Sequence, residues 1–124
     1  MDVIHTAIWV SDLEETAAFY EDVLGLEFQS EFTGDDGVVN YYVGTEGGAD
    51  LQFKYDPADE ATVSPAGVDH IALAVDDVDA EFDRVIEAAD PPVVLEPTTV
   101  EAANARVAFF EDPEGYVVEL VAYR

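Results

Sequence analysis

Cysteine is absent from this 124-residue chain, so disulfide bonds and thiolate metal sites are both excluded. No run of about 20 apolar residues occurs, so no transmembrane helix is expected. The first residues contain no basic stretch ahead of an apolar one, which predicts a cytoplasmic protein without a signal peptide. Hydrophobic residues make up 49% of the chain, enough to build the core of one folded domain.

Basic residues are also scarce. The chain has 4 Lys and Arg and 29 Asp and Glu, which gives a net charge of -25. Nucleic acids and anionic membranes are recognised by basic patches, so both are excluded as partners. The acids are spread along the chain among apolar residues, which favours a folded domain with an acidic surface over a disordered tail. At about 1 M salt the Debye length is ~3 Å, so repulsion among the surface carboxylates is screened. An acidic surface of this kind therefore predicts a protein that works in a high-salt cell.

The chain contains two copies of one module. The pattern H-x-A-[IL]-x-V-x-D-[LV] begins at His5 and again at His70, and residues 48–53 match residues 115–120. We therefore predict a single domain over residues 1–124, with module one at 1–55, a linker at 56–67 and module two at 68–124.

Hydrophobic periodicity predicts the same order of elements in each module, a strand, a helix and three strands. The first helix begins at a capping box, Ser11 with Glu14 or Asp12 with Glu15, and ends at Gly25. Ile4, Ile8 and Val10 would form the apolar face of the first strand. The predicted strands are 3–10, 26–33, 38–44 and 49–55, then 68–75, 93–97, 105–111 and 116–123. The fold class is α+β, two tandem βαβββ modules forming a curved mixed sheet around a central cavity.

The only two histidines, His5 and His70, occupy the same position of the repeated motif, and Gln52 and Glu119 are also repeat-equivalent. Two imidazoles and two oxygen donors suit one Zn²⁺, Ni²⁺, Co²⁺, Mn²⁺ or Fe²⁺ ion. Each residue also has a simpler interpretation, a hydrogen-bonded strand histidine or a polar strand residue. Glu119 fits that interpretation least, because a carboxylate in an apolar strand is costly unless it is paired. The matched positions favour the metal.

Three further residues share strand parity with these four. Lys54 follows Gln52 on one face and is either an anion anchor or a surface lysine. Trp9 and Tyr123 accompany His5 and Glu119, and either line a pocket that binds substrate or pack in a subunit interface.

The pattern F-Y-x-x-V-L-G-L at residues 19–26, H-I-A-L-A-V at 70–75 and F-F-E-D-P-E-G-Y-V-V-E-L at 109–120 resemble the vicinal oxygen chelate (glyoxalase/bleomycin resistance/dioxygenase) superfamily, above all glyoxalase I, lactoylglutathione lyase. The resemblance implies paired βαβββ modules, a homodimer and one divalent metal held by His5, Gln52, His70 and Glu119. It also implies a lyase or isomerase that converts the hemithioacetal of a 2-oxoaldehyde to a 2-hydroxyacyl thioester, with Glu119 as the general base.

One departure from the glyoxalase pattern raises alternatives. Small bacterial glyoxalases usually have glutamate where this chain has Gln52, whereas methylmalonyl-CoA epimerase uses glutamine. The epimerase has a second catalytic glutamate whose counterpart here is Asn40, an amide that cannot act as a base but could contact substrate. Extradiol dioxygenases use a further histidine, which this chain lacks. A non-catalytic binding protein, like the bleomycin-resistance proteins, is the other alternative. The metal, the thiol, and whether the ligands come from one chain or two stay open.

Overall fold

The computed structural model describes residues 1–59, 63 and 66–124. It confirms the α+β class and the two βαβββ modules, and each module forms its own four-stranded mixed sheet. The chain divides into two compact units, Met1–Val63 (the first unit) and Ser64–Arg124 (the second unit). Residues 60–62 and 64–65 of the predicted linker lie outside the described residues, and the single domain stays a prediction.

The first unit follows the predicted order of elements. Its helix begins in the second of the two predicted registers, because the Asp12 carboxylate accepts a hydrogen bond from the Glu15 backbone N–H at 3.0 Å. The sheet order is β1-β4-β3-β2, with β1 parallel to β4 and the other pairs antiparallel. The elements are β1 (His5–Trp9), α1 (Leu13–Ala18), a π-helical turn (Phe19–Val23), β2 (Glu27–Thr33), β3 (Val39–Gly44) and β4 (Asp50–Tyr55).

The core of the first unit lies on one parity of its strands. Ile8 on β1 and Phe53 on β4 are buried, and the Phe53 ring lies 5.1 Å from the buried ring of Tyr20. The prediction for Ile4 is wrong, because this residue is 70% exposed. It precedes β1 and joins the sheet only through its carbonyl, which accepts a hydrogen bond from the Asp50 N–H at 2.9 Å.

The second unit repeats the topology in the sheet order β5-β8-β7-β6, with β5 parallel to β8. Asp77 caps its helix through the Ala80 N–H at 3.1 Å, and Asp90, at φ 44°, ends it. The first strand is shorter than predicted, so that His70 precedes it, and the predicted strand 93–97 continues to Val100. The elements are β5 (Ile71–Ala74), α2 (Val78–Ala89), β6 (Val93–Val100), a 3₁₀ turn (Glu101–Ala103), β7 (Ala105–Glu111) and β8 (Val117–Tyr123).

Both parities of β7 and β8 contain buried apolar residues. Helix α2 packs on these two strands, where Phe110, Val118 and Leu120 are buried. On the other parity Ala105, Val107 and Val121 form a second cluster, called here the apolar cluster. None of the described helices is long and apolar enough to cross a membrane.

Candidate functional site

The first unit places His5 and Gln52 around one aromatic ring. Gln52 is 7% exposed on β4, where it pairs with Ala7 of β1 and Tyr42 of β3. The exposed His5 opens β1, two residues before Ala7, and its ring meets the Tyr42 ring edge-on with centroids 5.6 Å apart. Because alternate strand residues share a face, His5 and Gln52 lie on the same face of the sheet.

A hydrogen-bonded group of three side chains, called here the amide network, surrounds Gln52. The Asn40 Oδ1 accepts hydrogen bonds from the Gln52 Nε2 at 2.8 Å and from the Lys54 Nζ at 3.0 Å. The Asn40 Nδ2 donates to the Val38 carbonyl at 3.1 Å. Asn40 is only 4% exposed, so the network satisfies a buried amide that would otherwise be costly.

The Lys54 side chain has two uncharged partners, the Asn40 amide oxygen and the Trp9 ring. Its ammonium lies 5.5 Å from the centre of the half-exposed Trp9 ring, and among the described residues no carboxylate is within ion-pair distance of it. An amide oxygen and an aromatic face attract a cation without neutralising it. The structure thus brings together three of the predicted substrate-binding residues, Trp9, Asn40 and Lys54.

The second unit brings His70 and Glu119 into contact. The His70 Nε2 lies 3.1 Å from the Glu119 Oε1, and the Glu119 side chain is 14% exposed. The other ring nitrogen, Nδ1, lies 2.7 Å from the Asp69 carboxylate, so the imidazole is held at both ends. The exposed Tyr123, at the end of β8 in this unit, stays a sequence-based prediction for substrate binding.

Three residues near the histidines were missed by the sequence analysis. Phe109 pairs with Glu119 across β7 and β8, and its ring meets the His70 ring edge-on at 5.4 Å, as Tyr42 does with His5. The repeat offset that matched Gln52 with Glu119 also matches Tyr42 with Phe109, so this signal was present. Asp69, beside His70, had no such signal because Ile4 occupies the equivalent position of the first module.

The donors fit a divalent metal ion in their chemistry. Each unit offers one imidazole nitrogen and one side-chain oxygen, a set that Zn²⁺, Ni²⁺, Co²⁺ and Mn²⁺ accept. Two ligands of one tetrahedral or octahedral ion lie roughly 3.0–3.4 Å apart, and His70 and Glu119 are separated by 3.1 Å. Within the described residues, no three His, Asp or Glu side chains form a ready metal cluster.

Another titratable pair lies apart from these donors in the first unit. The Tyr41 hydroxyl donates a hydrogen bond of 2.6 Å to the Glu21 carboxylate. Burial of the hydroxyl raises the pKa of Tyr41, and the hydrogen bond to the Glu21 carboxylate adds a smaller contribution, so that the pKa is about 12. A phenol that holds its proton this firmly serves as a structural donor, and the Tyr41 ring stacks on Phe53 in the core.

Residues 3–120 match the Glyoxalase/Bleomycin resistance protein/Dioxygenase superfamily. This chain belongs to that superfamily. A lactoylglutathione lyase of Haemophilus influenzae is 31% identical to it over 127 residues, which cover 98% of this chain and 92% of the relative.

Two solved structures extend the comparison to the fold. The trypanothione-dependent glyoxalase I of Leishmania major superposes with a TM-score of 0.82 and 26% identity, covering 98% of this chain and 86% of that one. An antibiotic binding protein of Streptomyces has a TM-score of 0.73 and 27% identity, covering 97% and 93%. The same fold therefore occurs in an enzyme and in a binding protein similar to this chain.

Proposed function

We propose that this chain is a metal-dependent glyoxalase I-like lyase that converts the hemithioacetal of a 2-oxoaldehyde to a 2-hydroxyacyl thioester. The observation that carries the proposal is the contact of Glu119 with His70 at 3.1 Å, together with the repeat-equivalent pair His5 and Gln52. The similarity to lactoylglutathione lyases supports the reaction, since the likeness extends over nearly the whole chain.

In this proposal His5, Gln52, His70 and Glu119 hold one divalent metal ion. The bound ion would supply Lewis-acid polarisation of the two vicinal substrate oxygens, which lowers the pKa of the adjacent C–H. The His70 ring is already oriented for ligation, because the Asp69 carboxylate holds its Nδ1 and leaves the Nε2 beside Glu119.

Glu119 acts as the general base. Its carboxylate removes the proton from the carbon that carries sulfur and returns it to the neighbouring carbonyl carbon. The hydroxyl proton of the first carbon passes to the oxygen of the second, so that no proton is gained or lost overall. Gln52 occupies the equivalent strand position in the first unit but cannot exchange a proton. It therefore only binds and orients.

Lys54, with Trp9 and Asn40 beside it, is proposed to bind an anionic group of the substrate. Two of the three ammonium protons have no acceptor among the described residues, because the one side-chain hydrogen bond of Lys54 there goes to Asn40. A net charge of -25 disfavours a thiol with two carboxylates such as glutathione. We therefore propose another low-molecular-weight thiol, used in a high-salt cytoplasm.

The assay for this proposal is methylglyoxal with a panel of thiols in molar KCl, with Ni²⁺, Zn²⁺, Mn²⁺ or Co²⁺ added singly. Formation of a thioester by the wild-type protein with at least one thiol is the expected result. Glu119→Gln protein serves as the matched control for the uncatalysed reaction. If no combination of thiol and metal exceeds that control, the lyase assignment is wrong.

A non-catalytic binding protein is the second candidate, favoured by the likeness to the Streptomyces antibiotic binding protein. Metal analysis of the purified chain separates the two. A stoichiometric divalent ion whose removal by chelation abolishes turnover of the substrate supports the enzyme. Ligand binding that is unchanged by chelation supports the binding protein.

We also propose a homodimer, on the basis of the sheet edges. Strands β2 and β6 are the equivalent edge strands of the two sheets, and both expose large apolar side chains. These include Phe28, Phe32, Val93, Val94 and Leu95. Exposed apolar edge strands usually pair or are covered. Sedimentation of a monomer at micromolar concentration would contradict the homodimer.

A further inference from the structure

We propose that Asn40, anchored by Val38 and Lys54, fixes the Gln52 side-chain amide in one orientation, with its Nε2 turned to the network and its Oε1 left as the ligating atom. Asn40 and Lys54 are thus positioning residues for the proposed metal ion. The inference rests on the proposed function, because it assigns the ligating atom of that same site.

Lys54 settles which end of the Asn40 amide faces it. An ammonium only donates hydrogen bonds, so the atom 3.0 Å from the Lys54 Nζ must be an acceptor, the Oδ1. The opposite end of the same amide faces the Val38 carbonyl at 3.1 Å, which only accepts, so that end must be the Nδ2. If the Asn40 amide were turned over, like atoms would face each other at both ends.

The orientation of Asn40 in turn decides that of Gln52. The Asn40 Oδ1 lies 2.8 Å from the Gln52 side-chain amide, so the Gln52 atom that faces it must be the donor, Nε2. The Oε1 of Gln52 accepts no hydrogen bond from the described residues. Every buried side-chain oxygen in the described part of the chain has a hydrogen-bond partner. Since the Gln52 Oε1 has none, it must be in contact with solvent. Gln52 therefore presents an unoccupied oxygen on the face that also bears His5.

The second unit has no counterpart of this device. The repeat equivalents of Asn40 and Lys54 are Val107 and Val121, which pair with each other across β7 and β8 as Asn40 and Lys54 do across β3 and β4. Glu119 needs no such orientation, since both outer atoms of a carboxylate are oxygens. A glutamine at this position can turn its NH₂ group instead of its oxygen toward a metal ion, whereas a glutamate presents an oxygen in either orientation.

The first experiment observes the Gln52 side-chain amide by NMR in the metal-free protein, so its result does not depend on metal binding. We expect slow solvent exchange of the Nε2 proton in the wild type and in Asn40→Asp, which keeps an acceptor for both donors. Asn40→Val should restore the exchange rate of a free glutamine. The valine should be tolerated in folding, since Val107 occupies the equivalent place. Free-glutamine exchange in the wild type would overturn the inference.

The second experiment is a double-mutant cycle on metal affinity, measured by calorimetry with Zn²⁺ and Co²⁺. Asn40→Val should weaken binding about 10–100-fold in the chain that has Gln52, as loss of an orienting partner usually does. In the Gln52→Glu background the same substitution should cost less than about threefold, because a carboxylate presents an oxygen either way. Equal losses in the two backgrounds would show a merely structural Asn40 and overturn the inference.

The two experiments also separate this inference from the proposed function. Metal binding that obeys the cycle, without turnover of any thiol substrate, would overturn the lyase and leave the inference standing. A wild-type protein that binds neither ion would refute the ligand role of the Gln52 Oε1, whatever the amide exchange shows.

Discussion

Gln52 in the first unit and Glu119 in the second occupy equivalent strand positions, yet their neighbours differ in kind. Gln52 lies beside Asn40 and Lys54, and the Asn40 Oδ1 accepts hydrogen bonds from both Gln52 and Lys54. Glu119 lies on the same strand face as the apolar cluster, with His70 as its polar contact at 3.1 Å. The two sheets have the same strand pairing, but three equivalent positions on this face differ. The first unit has Trp9, Asn40 and Lys54 there, and the second unit has the apolar residues Ala74, Val107 and Val121.

This difference suits two different tasks. A neutral amide ligates through one atom only, so it benefits from hydrogen bonds that fix its orientation. A general base must instead be able to gain a proton, which a carboxylate can do and an amide cannot. In the proposed function both positions supply an oxygen ligand, and only the carboxylate of Glu119 also acts as the base.

The largest expected effect comes from exchanging the two roles. Glu119→Gln keeps an oxygen ligand, one that no neighbouring amide orients, but removes the base, so turnover should fall about 10²–10⁴-fold even at metal concentrations that saturate the site. Gln52→Glu is the matched variant at the equivalent position, and it should leave activity similar or higher. Steady-state kinetics and metal analysis of both proteins check this. Wild-type turnover by Glu119→Gln would show that another group is the base.

A smaller effect is expected from placing the polar residue of the first unit into the second. Val107→Asn puts an amide into the apolar cluster without the partners that Asn40 has, so the free energy of unfolding should fall by about 1–3 kcal/mol. Val3→Asn, at a valine that is 77% exposed ahead of β1, should change it by no more than about 0.5 kcal/mol. Urea unfolding measures both, and equal losses would contradict the contrast between the units.

Salt should act more strongly on the first unit. The described ion pairs between arginine and acid, Arg84 with Glu81 and Arg106 with Asp79, both lie in the second unit. The Arg106 hydrogen bonds hold the pKa of Asp79 below its usual range. Molar KCl should raise the melting temperature by at least about 5 °C, roughly the shift for 1 kcal/mol, because it screens repulsion. Amide hydrogen exchange should slow most in the first unit, and a melting temperature independent of salt would contradict the high-salt proposal.

The smallest effect concerns alkaline stability. The pKa of Tyr41 is raised to about 12, so the folded state keeps a proton that the unfolded chain loses near pH 10. This contribution to stability is complete below about pH 10 and is lost as the pH rises toward 12. Tyr41→Phe should flatten that decline in urea unfolding, whereas Tyr123→Phe, at an exposed tyrosine, should not. An unchanged decline in Tyr41→Phe would mean that another group causes it.

The order of elements and the pairing of the four donors were predictable because they depend on local periodicity and on a repeat. His5, Gln52, His70 and Glu119 were found by offset alone, and the structure brings His70 and Glu119 into contact. Whether the four bind one metal stays a prediction.

The amide network was not predictable in the same way. Asn40 meets Lys54 only through the register of β3 on β4, a long-range pairing that one residue of slip would destroy. The exposed Ile4 illustrates the same limit, since alternation assigned it to the core although the strand begins one residue later.

The proposal that His5, Gln52, His70 and Glu119 bind one divalent ion is tested most directly by metal content per chain. We expect one Zn²⁺, Ni²⁺, Co²⁺ or Mn²⁺ per wild-type chain, and we expect both His5→Ala and His70→Ala to lose it, although the histidines belong to different units. Asp35→Ala, at an exposed turn acid, should keep it. Wild-type metal content in either histidine variant would contradict the shared site.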